Sequence, residues 1–516
     1  MSFSNEDRDV FLIKTDRMID RGALMSRYSR ASDPDIRSVY HREFEGNQKK
    51  SEEFYRRIFL EYGDESIAEL VTAQVGVQNV SNIASKAIEE IRIGLSYLEK
   101  STRYVAYDKK IDGHYLFMRP ERIGIGGDSA REYEDLCNRL FDLYSAALPR
   151  IEAEISKLWP IESFDFSIDS GPANYRDLDE NGKKLAQRSY RSSVRSRALD
   201  DARFILPAST LTNIGISGNA RSFIHLIQKL KEYGLPETER ISSDLYGELR
   251  QEFPQIIDDA VSKHGMDIID YKKRLMNMFP FTDGGKFEKV KLIRYGNEKD
   301  EIQKALAFLM YPFAEDASSI ISRVKAMDAA EISAILGKIR DMRKNRRMKI
   351  GRPFEAVNYV FEVTTNYGAF RDLQRHRFLT IMRKPLTASY GYDVPPIIAK
   401  IPDLSEEYSE AMREAAAVYA RIKEKYGYAL AQYVVPFAYR YPVVFSTNLA
   451  EAAYFIEIRS TPQAHFDLRD LAIRMYNEIR SVHPALAELI KFVDTGDYPL
   501  GRLSAEVKKN LKSGGI

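Results

Sequence analysis

The chain has 516 residues, 44% of them hydrophobic, and a net charge of +2, so it can fill two or more cores and carries no overall field pointing to nucleic acid or an acidic membrane surface. A single cysteine, Cys137, excludes an intrachain disulfide and cysteine-rich zinc centres, and the seven histidines show no metal-ligand spacing. No stretch approaches the roughly 18 apolar residues that span a bilayer, and MSFSNEDRDVF has no basic segment followed by an apolar one, so a soluble cytoplasmic protein without a membrane or nucleic-acid partner is expected.

In chain order, DESIAEL places Ser66 three residues before Glu69, the spacing of a helix capping box. SYLEKSTRY follows, with Ser96, Glu99, Ser101, Arg103 and Tyr104. REYEDLCNRLFDLYSAALPRIEAEISKL has helical periodicity, which makes Cys137 a packed core thiol and not a nucleophile. The stretch from about 105 to 200, with the loop DFSIDSGPANYRDLDENGKK, reads as an insertion running over the surface. GIGGD (Gly124 to Asp128) has no strand–turn–helix unit around it and is no phosphate cradle. RSYRSSVRSR sets Arg188, Arg191 and Arg195 on one solvated helical face. In FPFTDGGKFEK, Pro, Asp-Gly and Gly-Gly signal turns, and VKLIRY just after it reads as a strand. KNRRMKIGR is a charged turn, YVFEVTT a short strand, and EEYSEAMREAAAVYARIKEKYGYALAQ a second long amphipathic helix.

The chain repeats itself. ARFILPASTLTNIGISGNARSFIHLIQKL aligns without a gap on AQYVVPFAYRYPVVFSTNLAEAAYFIEIR, so that Pro207 falls on Pro436 and Asn219 on Asn448. LYGELRQEFP resembles MYNEIRSVHP, and ESIAELVTAQVGV resembles RPFEAVNYVFEVT, in the same order. A repeat this long is a duplicated domain and not a solenoid unit, whose period is about 20–50 residues. The expected fold is helix-rich α+β in two tandem copies, 1–280 and 281–516, the first carrying the insertion at about 105–200.

The second copy contains DLQRHRFLT, with Arg375, His376 and Arg377. Placed before SYLEKSTRY of the first copy, it resembles R-H-R-x-x-S-x-x-E-x-S-x-R-Y, the signature of the flavin-dependent thymidylate synthases. ARFILP, GNARS and the E-I-R of AAYFIEIR are similar to later blocks of that family. Neither copy carries the signature whole. The first reads Ile91-Arg92-Ile93 at R-H-R; the second reads Arg383, Pro385 and Thr387 at the Glu, Ser and Arg positions. The losses are complementary. Arg459 meets Leu230 in the first copy, Arg203 meets Gln432 in the second, and Asn219-Ala220-Arg221 meets Asn448-Leu449-Ala450. Members of the family are homotetramers with sites between subunits, so the resemblance implies a fused pseudo-dimer with one working composite site, and a homodimer of chains.

It further implies FAD as cofactor, methylenetetrahydrofolate and NADPH as co-substrates, and dUMP or a related pyrimidine nucleotide as substrate, methylated at C5 to dTMP. Arg375 and Arg459 would stabilise charge on the pyrimidine. Glu99, Ser101, Arg103, Arg203 and Asp372 would hold the nucleotide, since guanidinium forks match phosphate oxygens. Arg375, His376, Arg377, Asn219, Arg221, Ser66 and Glu99 would meet the flavin. Asp372 stands where the family carries a nucleotide-holding glutamine. Either the substrate differs or the aspartate pairs with an arginine. Thr380 replaces a serine, and Asp64 and Ile350 stand where the family has an early histidine. Two alternatives follow: another flavin-dependent C5 modification, such as hydroxymethylation or action on another nucleotide, and a non-catalytic flavin- or nucleotide-binding paralogue.

Overall fold

The computed structural model describes residues 2–15, 17–29, 31–33, 35–45, 48–55, 65–168, 171–313 and 316–513. Asp64 lies outside them, as do Asp169 and Ser170 of the expected surface loop. The chain forms two compact units. The first takes in Met1–Lys100, Leu116–Glu134 and Ser209–Thr282; the second takes in Ser101–Tyr115, Asp135–Ala208 and Asp283–Ile516. These units follow contact and not the order of the chain, so residues 101–115 and 135–208 fall in one unit with 283–516.

The elements that frame the site are, in chain order, β1 (Thr72–Ser81), α1 (Asn82–Ile88), β2 (Leu95–Glu99), α2 (Asp128–Leu158), α3 (Glu180–Ala202), β3 (Leu211–Asn219), α4 (Ala220–Tyr233), β4 (Val290–Arg294), β5 (Asn358–Asn366), α5 (Tyr367–Leu373), β6 (Thr380–Arg383), β7 (Arg440–Asn448), α6 (Leu449–Arg459) and α7 (Phe466–Val482). Each unit holds a small antiparallel sheet, ordered β1-β3-β2 in the first and β4-β5-β7-β6 in the second. VKLIR forms β4 and YVFEVTT lies within β5, as their β-branched and aromatic content predicts.

The duplication is written in the registers. Thr72 pairs with Asn219, and Asn358 with Asn448. Ser96 pairs with Ser217, and Thr380 with Ser446; Glu99 pairs with Ile214, and Arg383 with Val443. The sheets therefore equate Ser96 with Thr380 and Glu99 with Arg383, as the sequence alignment does. One irregularity separates them. β1 shifts register between Val77 and Val80 around Asn79, whose φ of 55° is tolerated by asparagine.

Each copy also uses one capping device twice. A strand ends on a residue whose side chain accepts an orphan N–H of the helix that follows. Ser81 Oγ accepts from Ala84 N at 3.0 Å and Asn219 Oδ1 from Ser222 N at 2.9 Å. Asn366 Oδ1 accepts from Ala369 N and Asn448 Oδ1 from Glu451 N, both at 2.9 Å.

In the first unit, Phe223, Leu226, Ile227 and Leu230 recur at helical spacing along α4 and join the core beneath the sheet. In the second unit, Tyr359, Phe361 and Phe445 line the buried face of the sheet. The stretch expected as a surface excursion is instead largely core-forming. On α2, Phe141, Tyr144, Leu148, Ile151 and Ile155 are buried, because that helix is amphipathic over its length, and Cys137 is buried beside them. Arg188 and Arg191 on α3 are exposed as predicted, while Arg195 pairs with Glu152 and Asp108.

Candidate active site

Arg203 and the loop that follows come from the first copy, yet they lie in the second unit with α5 and β7. Ala208 N donates to Val435 O, and Phe437 N donates to Leu206 O, each at 2.9 Å. Pro207 pairs with Pro436 between them. Because Pro207 aligns on Pro436, these two bonds exchange equivalent partners, the pattern of an isologous contact.

This pairing carries Arg203 next to α5. Its side chain is 2% exposed, and Nη1 lies 3.6 Å from Asp372 Oδ2. On the other side of Asp372, Arg375 Nε lies 3.8 Å from Oδ1, and Arg459 Nη2 donates to the Asp372 carbonyl at 3.2 Å. Asp372 thus pairs with arginines, the second of the two outcomes the sequence left open. Burial pushes its carboxyl up, but Arg203, Arg103, Arg375 and Arg459 outweigh that and hold it well below the usual carboxylate range. Burial pulls the Arg203 guanidinium down to about 10, which leaves it cationic at neutral pH.

A second carboxylate sits in the same unit. Asp200, at the end of α3, takes Arg103 Nε at 2.8 Å and Nη2 at 3.0 Å, and Arg502 Nη2 at 3.2 and 3.0 Å. Burial raises its carboxyl and the two arginines bring it far down. Ser101 Oγ accepts from Arg103 N at 3.2 Å, so it orders the turn that carries Arg103. Buried His465 Nε2 lies 3.2 Å from Asp200 O, and Asp467 N donates to its Nδ1 at 3.2 Å, so the ring is neutral with its proton on Nε2. Arg371 donates to Thr102 Oγ1 at 3.2 Å and stacks over Phe437.

His376 is buried and held at both nitrogens. Arg459 Nε donates to Nε2 at 2.8 Å, and Nδ1 lies 3.2 Å from Glu451 Oε1. Arg375 and Arg377 flank it on an exposed turn beside Phe378, which is 78% exposed. Two exposed arginines and an exposed aromatic ring suit a flat apolar ring system with anionic groups, so this donor set fits a flavin.

The remaining predicted residues belong to the first unit. Glu99 is buried there, accepting from Ser85 Oγ at 3.2 Å and Lys86 Nζ at 3.1 Å. Asn219 caps α4, Arg221 pairs with Glu69 and Glu65, and Ser66 lies in the 3-10 turn Glu65–Leu70. Sequence reasoning missed Asp200, Arg371, Glu451, His465 and Arg502. Arg371 was signalled, standing one helical turn before Arg375. Arg502 carried no local signal.

The pattern of one protein family, described as thymidylate synthase complementing protein, matches residues 14–255 and again 291–485. The chain belongs to that family. Its two matched segments make it a tandem member of the flavin-dependent thymidylate synthase family, and membership implies a flavin. A UPF0159 protein of Thermoplasma acidophilum is 80% identical over 499 residues, covering 97% of this chain and all of that one. A UPF0159 protein of Chlamydia muridarum is 33% identical over 533 residues, covering 98% and 96%. A flavin-dependent thymidylate synthase of Clostridium tetani is 24% identical over 253 residues, and 96% of it matches 43% of this family member.

Proposed function

We propose that the chain is a flavin-dependent enzyme that modifies C5 of a pyrimidine nucleotide, and specifically an FAD-dependent thymidylate synthase that methylates dUMP with methylenetetrahydrofolate and NADPH. The observation that carries this reading is the 3.6 Å approach of Arg203 to Asp372. The first comes from one copy and the second from the other, and both belong to the composite set that the resemblance assigns to one nucleotide site. The symmetric hydrogen bonds about Pro207 and Pro436 support the fused pseudo-dimer of copies 1–280 and 281–516. A homodimer of chains would then scatter light as about 119 kDa, twice 59.3 kDa.

When bound, the flavin supplies the hydride chemistry. The protein's task is electrostatic. Arg459, oriented by His376 and the Asp372 carbonyl, would stabilise charge developing on the pyrimidine oxygens, a contribution on the order of 3–4 kcal/mol. Arg375 and Arg377 would hold the flavin, Arg103, Ser101 and Arg203 the nucleotide. Cys137 is buried in α2 and does not serve as a nucleophile in this reading.

The first experiment is the visible spectrum of the purified protein before and after dUMP. A bound-flavin spectrum that shifts with dUMP supports the reading; no flavin bound with excess FAD supplied refutes it. The departure from the family's glutamine at position 372 motivates a second reading with a different pyrimidine nucleotide or C5 product, although the aspartate's pairing with Arg203 and Arg375 already gives it partners. Turnover with dUMP, UMP and dCMP separates the two.

A further inference from the structure

The proposed chemistry leaves the basic run from Lys344 to Arg352 without a task. In the second unit this run begins as a tight exposed loop. Arg347 N donates to Asn345 Oδ1 and Met348 N to Asn345 O, each at 3.0 Å. Buried Arg343 closes the base, donating to the Met348 carbonyl and to Glu457 of α6. The loop is thus shaped by its backbone, Asn345 and Arg343, and the side chains of Lys344, Arg346, Arg347 and Lys349 stand exposed. On either side, Arg340 pairs with Asp341 and Glu488, and Arg352 with Glu355. Among the described residues, no carboxylate pairs with Lys344, Arg346, Arg347 or Lys349. Like charges held this close repel one another, and an anion seated on them would offset that cost. The loop lies one ring from the candidate site. Lys349 Nζ is 4.4 Å from the centroid of the Tyr454 ring, and that centroid is 5.8 Å from the ring of His376, which accepts from Arg459.

We propose that this loop binds the chain of γ-linked glutamates carried by the folate co-substrate. The inference rests on the folate named in the reading above. The one-carbon end of that molecule must reach the pyrimidine beside Arg459, and its carboxylates trail from the opposite end. A glutamate chain is extended and carries one carboxylate per added residue, so successive charges meet successive cations along the loop. A nicotinamide dinucleotide concentrates charge on its pyrophosphate, which suits backbone N–H groups at a helix N-terminus and not cations strung along a turn.

Calorimetry of the full chain, loaded with FAD and dUMP, compares tetrahydrofolate bearing a single glutamate with the form bearing a chain of five. An exposed ion pair contributes severalfold at most, so the longer chain should bind about 10- to 30-fold tighter at low salt. Most of that advantage should vanish in about 1 M salt, where screening acts within about 3 Å. Arg346→Gln combined with Arg347→Gln should cut the advantage to about threefold or less. Arg346→Glu combined with Arg347→Glu should make the longer chain the weaker ligand. Equal affinity for the two forms in the unaltered chain, or an advantage that survives both double variants, overturns the inference and leaves the proposed function standing. A loss of affinity confined to NADPH assigns the loop to the reductant and overturns it as well. Failure of the chain to take up FAD, or to bind either folate once loaded, overturns the inference and the proposed function together.

Discussion

Arg459 Nε donates to His376 Nε2 across 2.8 Å, which fixes the imidazole proton on Nδ1, facing Glu451. Burial pushes the imidazole pKa down, with Glu451 pulling against it, so the ring is neutral at physiological pH and can accept from a cation. His376 therefore orients the Arg459 guanidinium. His376→Phe keeps the ring packed on Phe455 but removes the acceptor. A hydrogen bond to a charged group is worth about 1.5–3 kcal/mol, so turnover should drop roughly 10- to 100-fold. His376→Gln, which retains an acceptor, should recover part of it. Equal losses in the two variants would show that the ring itself matters and not the bond to Arg459.

Arg375 and Arg103 invite the same alanine substitution, with different outcomes. Arg375 is 42% exposed in its side chain and lies 3.8 Å from Asp372, so Arg375→Ala should cost less than about 1 kcal/mol of stability while turnover falls 100-fold or more. Arg103→Ala leaves buried Asp200 with Arg502 alone and should cost about 2–4 kcal/mol as well as activity. Urea denaturation alongside turnover checks both. Full activity in either variant would remove the composite site.

How much of this could be read before any coordinates is clearest at three positions. Pro207 and Pro436 were aligned from sequence, and they pair across the local two-fold, because a repeat is a property of the order of residues. The equivalence of Ser96 with Thr380 and of Glu99 with Arg383 in their separate sheets was equally legible, since a strand's register follows its alternating pattern. Asp372 was recognised as the departure, but its partner was not, because the choice between substrate and arginine depends on where residue 203 folds. Asn219 was aligned on Asn448 and expected to meet the flavin, while the capping bond each makes to the helix that follows depends on where strand and helix meet. Arg502, which shares Asp200 with Arg103, lies about 300 residues from its partner, and no spacing rule reaches that far.

Glu457, the glutamate of the E-I-R block, forms a buried pair with Arg343: Nη2 to Oε2 at 2.6 Å and Nη1 to Oε1 at 2.8 Å. Arg343 also donates to the Leu489 and Met348 carbonyls, so it cannot swing out to water. Glu457→Ala strands a buried cation and should destabilise by about 3–5 kcal/mol. Thermal unfolding of the variant at neutral pH tests this; an unchanged midpoint would mean that Arg343 is satisfied by carbonyls alone.

Asp467 opens α7 with its side chain 15% exposed and accepts from Asn366 Nδ2 at 2.7 Å. Burial raises its carboxyl to about 6, against a lowering by that bond and a further rise from Asp393. The folded state therefore holds this proton more tightly than the unfolded chain, whose carboxyl titrates near 3.8. The stability it contributes is fully present below about pH 4 and is lost as pH rises through about 6, a span on the order of 3 kcal/mol. Asp467→Asn removes the titration while keeping an acceptor for Asn366. Urea unfolding at pH 4, 5.5 and 7 should find the variant and the unaltered chain similar at pH 4, with the variant progressively more stable toward pH 7. Parallel curves across that range would mean that Asp467 is ionised in the folded chain at every pH tested, and that Asn366 alone meets the cost of burying it.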